Sequence, residues 1–388
     1  MVSFVGVTAG RRVFTRLPIA RLALGLFILT PITWLAQRAR ADQSSARPSN
    51  ASELAALEQK AESGDAPAQL ELAKTYMRGS GVTQDSVTAA KWFRQAAEQG
   101  NAEAQDALGV MYGGGDGVER DKGEALKWYR KAARQGYAEA MYHLGTASYN
   151  GDAVEISDTK AYAWFALAKQ AGNRKAIAAL ERLDSELKPA VILQGQVEIG
   201  KLYDEGVFLP KNHTEAVRWW LPAARSGDLD AEIQMAQKFL NGEGIGQDYQ
   251  QAKLWCSKAV KQNVSAKQYE PRAAYCLGVI SDRGLGVPQD LGTARQWYER
   301  SAVSGHPVAA KRLAQMCLNA EGGKRDPMKA GLIYAQLAIR NDKEALANLL
   351  ELKKTMDQQE WASLQKALET RHIETDKIPQ VFPQEPAN

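Results

Sequence analysis

The residues that most suggest chemistry are the glycines of LGVMYGGGDGVERD, the stretch from Leu108 to Asp121. Clustered glycines can cradle a phosphate, but a phosphate-binding loop follows a strand, occurs once, and carries a lysine with serine or threonine at fixed spacing. This stretch has none of those features, and similar glycines recur along the chain as GSGV, GEGI and GLGV. We therefore predict turn residues here rather than a nucleotide site, and we expect no cofactor.

The histidines and cysteines also lack the spacing of a catalytic or metal site. The chain has four histidines and three cysteines: His143, His213, His306, His372, Cys256, Cys276 and Cys317. No CxxC pair, GxSxG elbow or HExxH motif occurs in the sequence. We expect a protein that is not an enzyme and holds no metal.

The composition is that of a globular protein, with 45% hydrophobic and 24% charged residues over 388 positions. The formal net charge of +4 comes from six arginines that precede Asp42, where no acidic residue accompanies them. Without that segment the chain is near neutral. The charge therefore gives no reason to expect a nucleic-acid partner.

The first residues predict export. An arginine-containing start is followed by an apolar run of 14 residues, Leu22 to Leu35, and then by Ala39-Arg40-Ala41, which fits the small residues that signal peptidase prefers. A membrane-spanning helix needs about 18 or more apolar residues. We expect residues 1–41 to be a cleaved signal peptide and the protein to be periplasmic or secreted. The alternative is an uncleaved anchor in the inner membrane, residues 17–35, as the only membrane contact.

A repeat organises the rest of the chain. Asp65 to Gly100 aligns with Asn101 to Gly136 so that tyrosine, glycine, aspartate and tryptophan coincide at a spacing of 36 residues. We number seven such copies, repeats 1 to 7, and anchor each on a small residue that follows a large apolar one. The anchors are Ala73, Gly109, Gly145, Gly200, Ala236, Gly278 and Ala314.

Three positions of this frame predict two helices per repeat. Twelve residues after the anchor stands a side chain suited to cap a helix N-terminus: Asp85, Asp121, Ser157, Asn212, Asp248, Asp290 and Asp326. Nineteen residues after the anchor stands a large apolar residue: Trp92, Trp128, Trp164, Trp219, Trp255, Trp297 and Ile333. Twenty-seven residues after the anchor stands a residue that readily ends a helix in the left-handed conformation: Gly100, Gly136, Gly172, Gly227, Asn263, Gly305 and Asn341. One such pair of helices cannot bury its own apolar stripe, so stacked pairs must form the core. We expect the tryptophans in that core rather than on a sugar-binding platform.

Repeat 2 resembles the Sel1-like repeat, a relative of the tetratricopeptide repeat. The likeness rests on Leu108-Gly109, Tyr112, the GxGV turn at Gly115 to Val118, Asp121, and LKWYRKAARQG at Leu126 to Gly136. The resemblance implies an all-α fold, a right-handed α/α solenoid of about seven helix-turn-helix repeats with C-terminal capping helices. It also implies a non-catalytic scaffold that binds a polypeptide. The alternative is a scaffold for cell-surface polysaccharide assembly or a carbohydrate binder.

The repeats also predict how the chain is divided. Residues 42–64 hold a linker and a first helix, and residues 65–187 hold repeats 1–3 with an extra helix at about 176–187. Residues 188–342 hold repeats 4–7, residues 343–373 two capping helices, and residues 374–388 a disordered tail.

In superhelices of this type the first helix of each repeat lines the concave face, mainly at the first, fourth and fifth positions after the anchor. The predicted partner-binding residues are Lys74, Arg78, Tyr142, Tyr149, Asn150, Lys201, Glu205, Gln237, Asn241, Tyr275 and Arg283. Together they would form a polar groove, dotted with aromatic residues, for an extended peptide or a partner helix. The alternative is an ordinary solvated helix face. We expect a monomer that binds a protein partner.

The cysteines are predicted to be small buried hydrophobic residues. A disulfide between Cys256 and Cys276 is the alternative, because the second helix of repeat 5 and the first helix of repeat 6 should pack together.

Overall fold

In the computed structural model, residues 51–262 and 270–382 are described. They form 18 α-helices and one short 3₁₀ helix, with no β-strand in these ranges. The all-α fold that the repeats predict is confirmed. The signal peptide or anchor predicted at the N-terminus lies outside the described residues.

The helices run in pairs, one pair to a repeat, after an initial helix α1 (Ala51–Glu62). Repeats 1 to 3 consist of α2 (Ala66–Arg78) and α3 (Ser86–Glu98), α4 (Ala102–Gly114) and α5 (Lys122–Arg134), and α6 (Ala138–Asn150) and α7 (Asp158–Gln170), followed by the extra helix α8 (Arg174–Glu186). Repeats 4 to 7 consist of α9 (Pro189–Glu205) and α10 (His213–Arg225), α11 (Leu229–Asn241) and α12 (Tyr249–Gln262), α13 (Glu270–Arg283) and α14 (Leu291–Val303), and α15 (Pro307–Leu318) and α16 (Pro327–Ile339). Two capping helices follow, α17 (Lys343–Thr355) and α18 (Gln358–Thr370), and then the 3₁₀ helix Thr375–Lys377.

The chain consists of two compact units, and the boundary between them lies between Leu187 and Lys188. In the first, consecutive helices from α1 to α8 pack on one another, and Phe93 and Leu108 lie in the core. In the second, consecutive helices from α9 to α17 pack in the same way, and α18 packs on α16. Each unit therefore buries apolar side chains of its own.

The second helix of every repeat begins where the frame predicts. In all seven repeats the capping side chain accepts a hydrogen bond from a backbone N–H of the first turn. The backbone N–H of the same residue donates to a carbonyl of the first helix, nine residues earlier, at 2.8–3.0 Å. Asp85 donates to the Tyr76 carbonyl in this way, and Asp326 to the Cys317 carbonyl. Both ends of the inter-helix turn are thus fixed by hydrogen bonds.

The predicted ends of the second helices are also confirmed for the described residues. The five glycines have a positive φ of 80–95°, and Asn341 has a φ of 65°. These are left-handed conformations that glycine and asparagine adopt at low free-energy cost. Asn263, the remaining predicted terminator, lies outside the described residues.

The small anchor residue lets the two helices of a repeat approach closely. A Cβ atom built on Gly109 would lie 2.6 Å from the Tyr129 ring, and one built on Gly200 would lie 2.2 Å from the Trp220 indole. The aromatic residue in each contact comes twenty positions after the anchor, one after the predicted tryptophan. The glycines at Gly145 and Gly278 make the same kind of contact.

The prediction that the tail is disordered from residue 374 onwards is wrong for the described residues 374–382. The segment that contains Ile378, Val381 and Phe382, here called the C-terminal strap, buries all three side chains against the last helices. Phe382 stacks on Trp361 with ring centroids 5.2 Å apart, and Lys353 Nζ donates to the Val381 carbonyl at 2.7 Å. Most other residues of this segment are polar, which is why the sequence suggested disorder. Burial of the three apolar side chains on the capping helices gives enough free energy to order the segment.

Candidate partner-binding surface

The predicted partner-binding residues lie on the first helices of five repeats. They are placed on α2 and α6 in the first unit, and on α9, α11 and α13 in the second. Each of these helices ends in a glycine with left-handed φ, so the residues in the last turn are held at a defined helix end.

Two predicted lysines connect neighbouring first helices. Lys74 of α2 lies 3.1 Å from Glu103 of α4, and it also pairs with Glu71 of its own helix at 2.9 Å. Lys201 of α9 lies 2.6 Å from Asp230 of α11. The two inter-repeat pairs join the same positions of the repeat frame. Both lysines therefore stabilise the packing of successive repeats.

The pair at Lys201 continues into a longer network. Arg272 of α13 lies 3.3 Å from Asp230, and its guanidinium donates to Gln237 Oε1 at 3.4 Å. Lys201, Asp230, Gln237 and Arg272 thus connect α9, α11 and α13. Because Asp230 is only 12% exposed at its side chain, water screens these contacts less than it screens ordinary surface ion pairs.

The last residue of four first helices is exposed: Asn150 in the first unit, and Glu205, Asn241 and Arg283 in the second. We call these four residues the exposed row, because all stand at the fifth position after the anchor. Arg78 occupies the same position in repeat 1 and is half-buried. Its Nε atom is shielded from water and has no hydrogen-bond partner among the described residues. Shielding an unpaired donor in this way is unfavourable, and an acceptor on a bound partner would relieve it.

The predicted aromatic residues differ in accessibility. Tyr142 is half-buried, with its ring centroid 5.4 Å from that of Phe165, and Tyr275 is stacked on His306 at 4.6 Å. Tyr149 is 5% exposed, so its assignment to the groove is wrong. Tyr149 also interacts electrostatically with Arg182 of the extra helix α8, which has no counterpart in the other repeats.

The sequence analysis missed charged clusters at three junctions between repeats. Their members are Asp106, Lys122, His143 and Asp152 where repeat 2 meets repeat 3, Asp204, His213, Lys238 and Glu243 where repeat 4 meets repeat 5, and Asp282, Tyr298, Arg312 and Glu321 where repeat 6 meets repeat 7. We call these the junction clusters. Some of their members stand at shared frame positions, but the residue types vary and the cations come from different positions, so no sequence motif marks them.

Two of the junction clusters hold an aspartate in its charged form. Burial opposes ionisation of Asp204, but hydrogen bonds from Lys238 and His213 prevail and lower its pKa. The hydrogen bonds from Arg312 lower the pKa of Asp282 in the same way. These acids are therefore structural anions that join one repeat to the next.

His306 is a different kind of histidine, because it caps α15. Its Nδ1 atom accepts a hydrogen bond from the Ala309 N–H at 3.2 Å, which requires an unprotonated nitrogen. Burial and the charge of Arg272 lower the pKa of His306. The neutral imidazole is thus favoured both by the hydrogen bond that it accepts at the helix N-terminus and by its burial near Arg272.

Two cavities open near these residues. A small one of about 120 Å³ lies at the junction of repeats 2 and 3, between Gly113, Tyr129 and His143. A larger cleft of about 1040 Å³ lies in the second unit, bounded by parts of α14, α15 and α16 and by the end of α18. Its lining includes apolar side chains such as Leu332 and cationic ones such as Arg340.

The tryptophans belong mainly to the core. Trp128, Trp164 and Trp255 are buried, and the other three at this frame position are half-buried. Lys131 lies over the Trp128 ring at 3.8 Å, which covers part of the remaining indole face. This arrangement leaves little flat aromatic surface for stacking on a sugar ring.

The structure joins Cys256 of α12 to Cys276 of α13 by a disulfide, with Cα atoms 6.4 Å apart. Cys317 is a free, buried thiol, and burial raises its pKa. Thiolate formation is therefore disfavoured at Cys317, and this cysteine packs as a small apolar residue.

Within the described ranges, no three His, Cys, Asp or Glu side chains are grouped so that they could hold a metal ion. No helix in the same ranges has the length and apolar character that crossing a membrane requires.

Paired helices, capped turns and braced repeat junctions define an α-solenoid repeat protein. The Sel1 repeat pattern matches seven segments of the chain: 66–101, 102–137, 138–173, 193–228, 229–264, 271–306 and 307–343. These cover well over half of the residues, and the chain belongs to the Sel1 repeat family. Sel1 repeats are a protein-interaction scaffold fold and are in general not catalytic.

Proteins similar to this chain include regulators of polysaccharide synthesis. Chitin synthase regulatory factor 3 of Schizosaccharomyces pombe is 30% identical over 129 residues, which are 32% of this chain and 13% of that protein. The exopolysaccharide production negative regulator of Rhizobium leguminosarum bv. viciae is 32% identical over 124 residues, 30% of this chain and 46% of that protein. The chain thus spans less than half the length of either relative. A crystal structure of a Sel1 repeat protein from Oxalobacter formigenes is similar at 28% identity and a TM-score of 0.38, covering 83% of this chain and 85% of the other.

Proposed function

We propose that this protein is an exported, non-catalytic adaptor that binds a polypeptide through the first helices of its repeats. The exposed row carries this proposal. Its members recur at one frame position, at the ends of helices that inter-repeat ion pairs hold in place. A partner that binds such a surface loses little free energy in ordering it, because the side chains already stand on fixed helices.

The row also has the chemistry that a polypeptide recognises. Glu205 supplies an acceptor, Arg283 a donor, and Asn150 and Asn241 both. Within the second unit, these donors and acceptors suit the N–H and C=O groups and mixed side chains of a peptide. Half-buried Tyr142 and Tyr275 add apolar surface at which a partner side chain can be desolvated.

Affinity capture tests this proposal. The full chain, tagged at its C-terminus, is purified from its own host after expression in its native compartment, and the retained proteins are identified. The test variant replaces Asn150, Glu205, Asn241 and Arg283 by alanine. These residues are exposed, so the variant should keep its helical content and its unfolding midpoint.

A matched control replaces four exposed polar residues of second helices: Lys127, Arg218, Lys253 and Gln296. We expect one polypeptide to be retained by the unchanged chain and by the control, and to bind the exposed-row variant at least tenfold more weakly, about 1.4 kcal/mol. Equal retention by all three proteins would refute the proposal.

Export is the second part of the proposal, supported by the N-terminal apolar run and the Ala39-Arg40-Ala41 site. Fractionation of the host and sequencing of the mature N-terminus test it. A periplasmic or secreted protein that begins at Asp42 would support a cleaved signal. A full-length protein in the membrane fraction would favour the anchor, and a full-length protein in the cytoplasm would refute export.

A role in cell-surface polysaccharide assembly is the second candidate function, favoured by the names of the two relatives. A direct carbohydrate ligand would have to reach the half-buried tryptophans, Trp92, Trp219 and Trp297. Titration with envelope glycans should then change tryptophan fluorescence saturably. Polypeptide capture with no response to glycan would leave the adaptor as the function.

A further inference from the structure

The three junction clusters share several frame positions, although their cations come from different ones, and the shared positions allow one junction to be compared with another. At the junction of repeats 4 and 5, Asp204 stands at the fourth position after its anchor. Its carboxylate lies 2.6 Å from His213 Nδ1 and 2.5 Å from Lys238 Nζ. Glu243, at the seventh position after the next anchor, lies 2.7 Å from the same lysine nitrogen.

At the junction of repeats 6 and 7, Asp282 occupies the equivalent fourth position. Tyr298 Oη donates to it at 3.1 Å, and Arg312 donates to both of its oxygens at 2.8 Å. Glu321, again at the seventh position after the next anchor, lies 2.7 Å from the guanidinium of Arg312. The fourth position thus supplies a carboxylate that several donors surround.

At the junction of repeats 2 and 3, the fourth position is Gly113, so this carboxylate is missing. The donor positions are nevertheless filled with donors: Lys122 stands where His213 does, Tyr129 where Tyr298 does, and His143 where Arg312 does. All three line the cavity of about 120 Å³ beside Gly113. A cavity of about 150 Å³ can hold benzene, so this one has room for a carboxylate and one or two methylene groups.

Two acids are already present at this junction, and Asp152 lines the cavity together with the donors. Asp152 lies 2.5 Å from Lys122 Nζ, as Glu243 and Glu321 lie beside their cations, and Asp106 lies 2.8 Å from His143 Nδ1. A lysine ammonium has three donor hydrogens, so one ion pair does not exhaust it.

Tyr129 supplies a neutral donor. Burial, reinforced by Asp106 and Asp152, raises the pKa of Tyr129 well above its usual range, so the hydroxyl keeps its proton. The side chain is half-buried and lines the cavity, so its hydroxyl can donate to an acceptor bound there.

We infer that the cavity at Gly113 is a receptor for a carboxylate, supplied by an aspartate or glutamate side chain of a bound polypeptide, which takes the place that Asp204 and Asp282 fill elsewhere in the chain. The polypeptide source of the carboxylate rests on the proposed function; the preference for a carboxylate rests on the junction comparison alone. Gly113 stands one residue before the frame position of the exposed row and lies in the same unit as Asn150, so an acidic side chain could enter the cavity while its backbone contacts the first helices of that unit.

The test uses the full chain, N-acetyl-glutamate amide as probe, N-acetyl-glutamine amide as its uncharged match, and acetate as a free carboxylate. NMR signals of the histidine rings report on the cavity, and the signal absent from His143→Gln identifies His143. We expect the glutamate probe and acetate to shift the His143 signal saturably, at millimolar concentrations, and the glutamine probe to shift it at least tenfold less.

Two variants at one position sharpen this test. Gly113→Asp restores the missing internal carboxylate, and a Cβ atom built there meets only ordinary contacts, 3.7 Å from Tyr129 Oη and 3.9 Å from Ala125 Cβ. It should fold, place the His143 signal near its ligand-bound position, and lose the response to both carboxylates. Gly113→Ala adds the same Cβ without a carboxylate and should keep the response.

The inference is overturned if carboxylates leave the His143 signal unchanged, if the glutamine probe acts as strongly as the glutamate probe, or if Gly113→Asp responds like the unchanged chain. A response to acetate without one to the glutamate probe would overturn the polypeptide source. Failure of the proposed function is a separate result, because affinity capture would then retain no polypeptide even though the His143 signal responds to carboxylate.

Discussion

Replacing Gly109 by alanine should destabilise the first unit, whereas the same change at Gly113, one turn later on α4, should stabilise it. Both changes gain the roughly 0.5–1 kcal/mol by which alanine exceeds glycine in a helix. They differ in what the new methyl group meets. At Gly109 it would lie 2.6 Å and 2.7 Å from two carbons of the Tyr129 ring, whereas at Gly113 it has ordinary contacts.

At Gly109, the steric clash with the Tyr129 ring decides whether alanine stabilises or destabilises the unit. Carbon atoms prefer about 3.5–4.0 Å, so the methyl group would penetrate the ring by about 1 Å unless α4 and α5 separate. Overpacking of this kind costs about 1–3 kcal/mol. We expect Gly109→Ala to lose about 1–2 kcal/mol and Gly113→Ala to gain about 0.5–1 kcal/mol. Alanine at the same frame position in repeats 1, 5 and 7 shows that the helices can adjust, which keeps the expected loss moderate.

Urea unfolding followed by circular dichroism measures both changes. With slopes of about 1–3 kcal/mol per molar urea, the two midpoints should differ by about 1 M. Replacing Tyr129 by leucine in both backgrounds gives a double-mutant cycle, and most of the Gly109→Ala loss should disappear without the ring. Equal midpoints for the two alanine variants would refute the close approach of α4 and α5 at the anchor.

Three further outcomes are expected. Reducing the Cys256–Cys276 disulfide, which spans 20 residues, should lower the unfolding free energy of the second unit by about 3 kcal/mol, and no effect of reductant on the urea midpoint would contradict this. Asp282→Asn should lose about 1–3 kcal/mol at neutral pH, because Arg312 loses one of its two charged partners. Since the native pKa of Asp282 is lowered, its contribution to the free energy of unfolding is present above about pH 3.9 and is lost as pH falls through the native pKa. The variant lacks this contribution, so its urea midpoint should drop less than that of the unchanged chain between pH 5 and pH 2.5. Burial lowers the pKa of His306 in the native state, so its contribution to the free energy of unfolding is present above about pH 6.5 and falls as pH is lowered towards the native pKa. His306→Asn keeps a capping side chain and should therefore remove this part of the pH dependence of the urea midpoint between pH 7 and pH 5.

The features that the sequence predicted well are those decided by neighbouring residues. A capping aspartate acts on N–H groups two or three residues ahead, and a terminating glycine acts on its own φ angle. The frame of 36 residues repeats these local choices, so it located the start of all seven second helices and the ends of six. Asp85 and Asp326 are as recognisable in the sequence as in the structure.

The contacts between repeats were harder to predict, because they depend on side chains that no local rule pairs. Lys74 with Glu103 and Lys201 with Asp230 share one separation, 29 residues, and this offset is a signal that a search for complementary charges along the frame would find. The junction clusters offer no such signal, because the cation comes from different positions, Lys238 in one and Arg312 in another. Tyr149 was misassigned because the additional helix α8 has no counterpart in the other repeats.

The C-terminal strap bears on whether the chain can polymerise. A stack of similar helix pairs has no intrinsic end, since the face that receives each repeat is nearly the same as the face offered to the next. An exposed terminal face could accept a second molecule head to tail, and such contacts generate open filaments. Ile378, Val381 and Phe382 cover apolar surface of the last helices and thereby withdraw it from such contacts. On this argument, we expect a chain with these three residues replaced by polar ones to associate head to tail more readily than the unchanged chain.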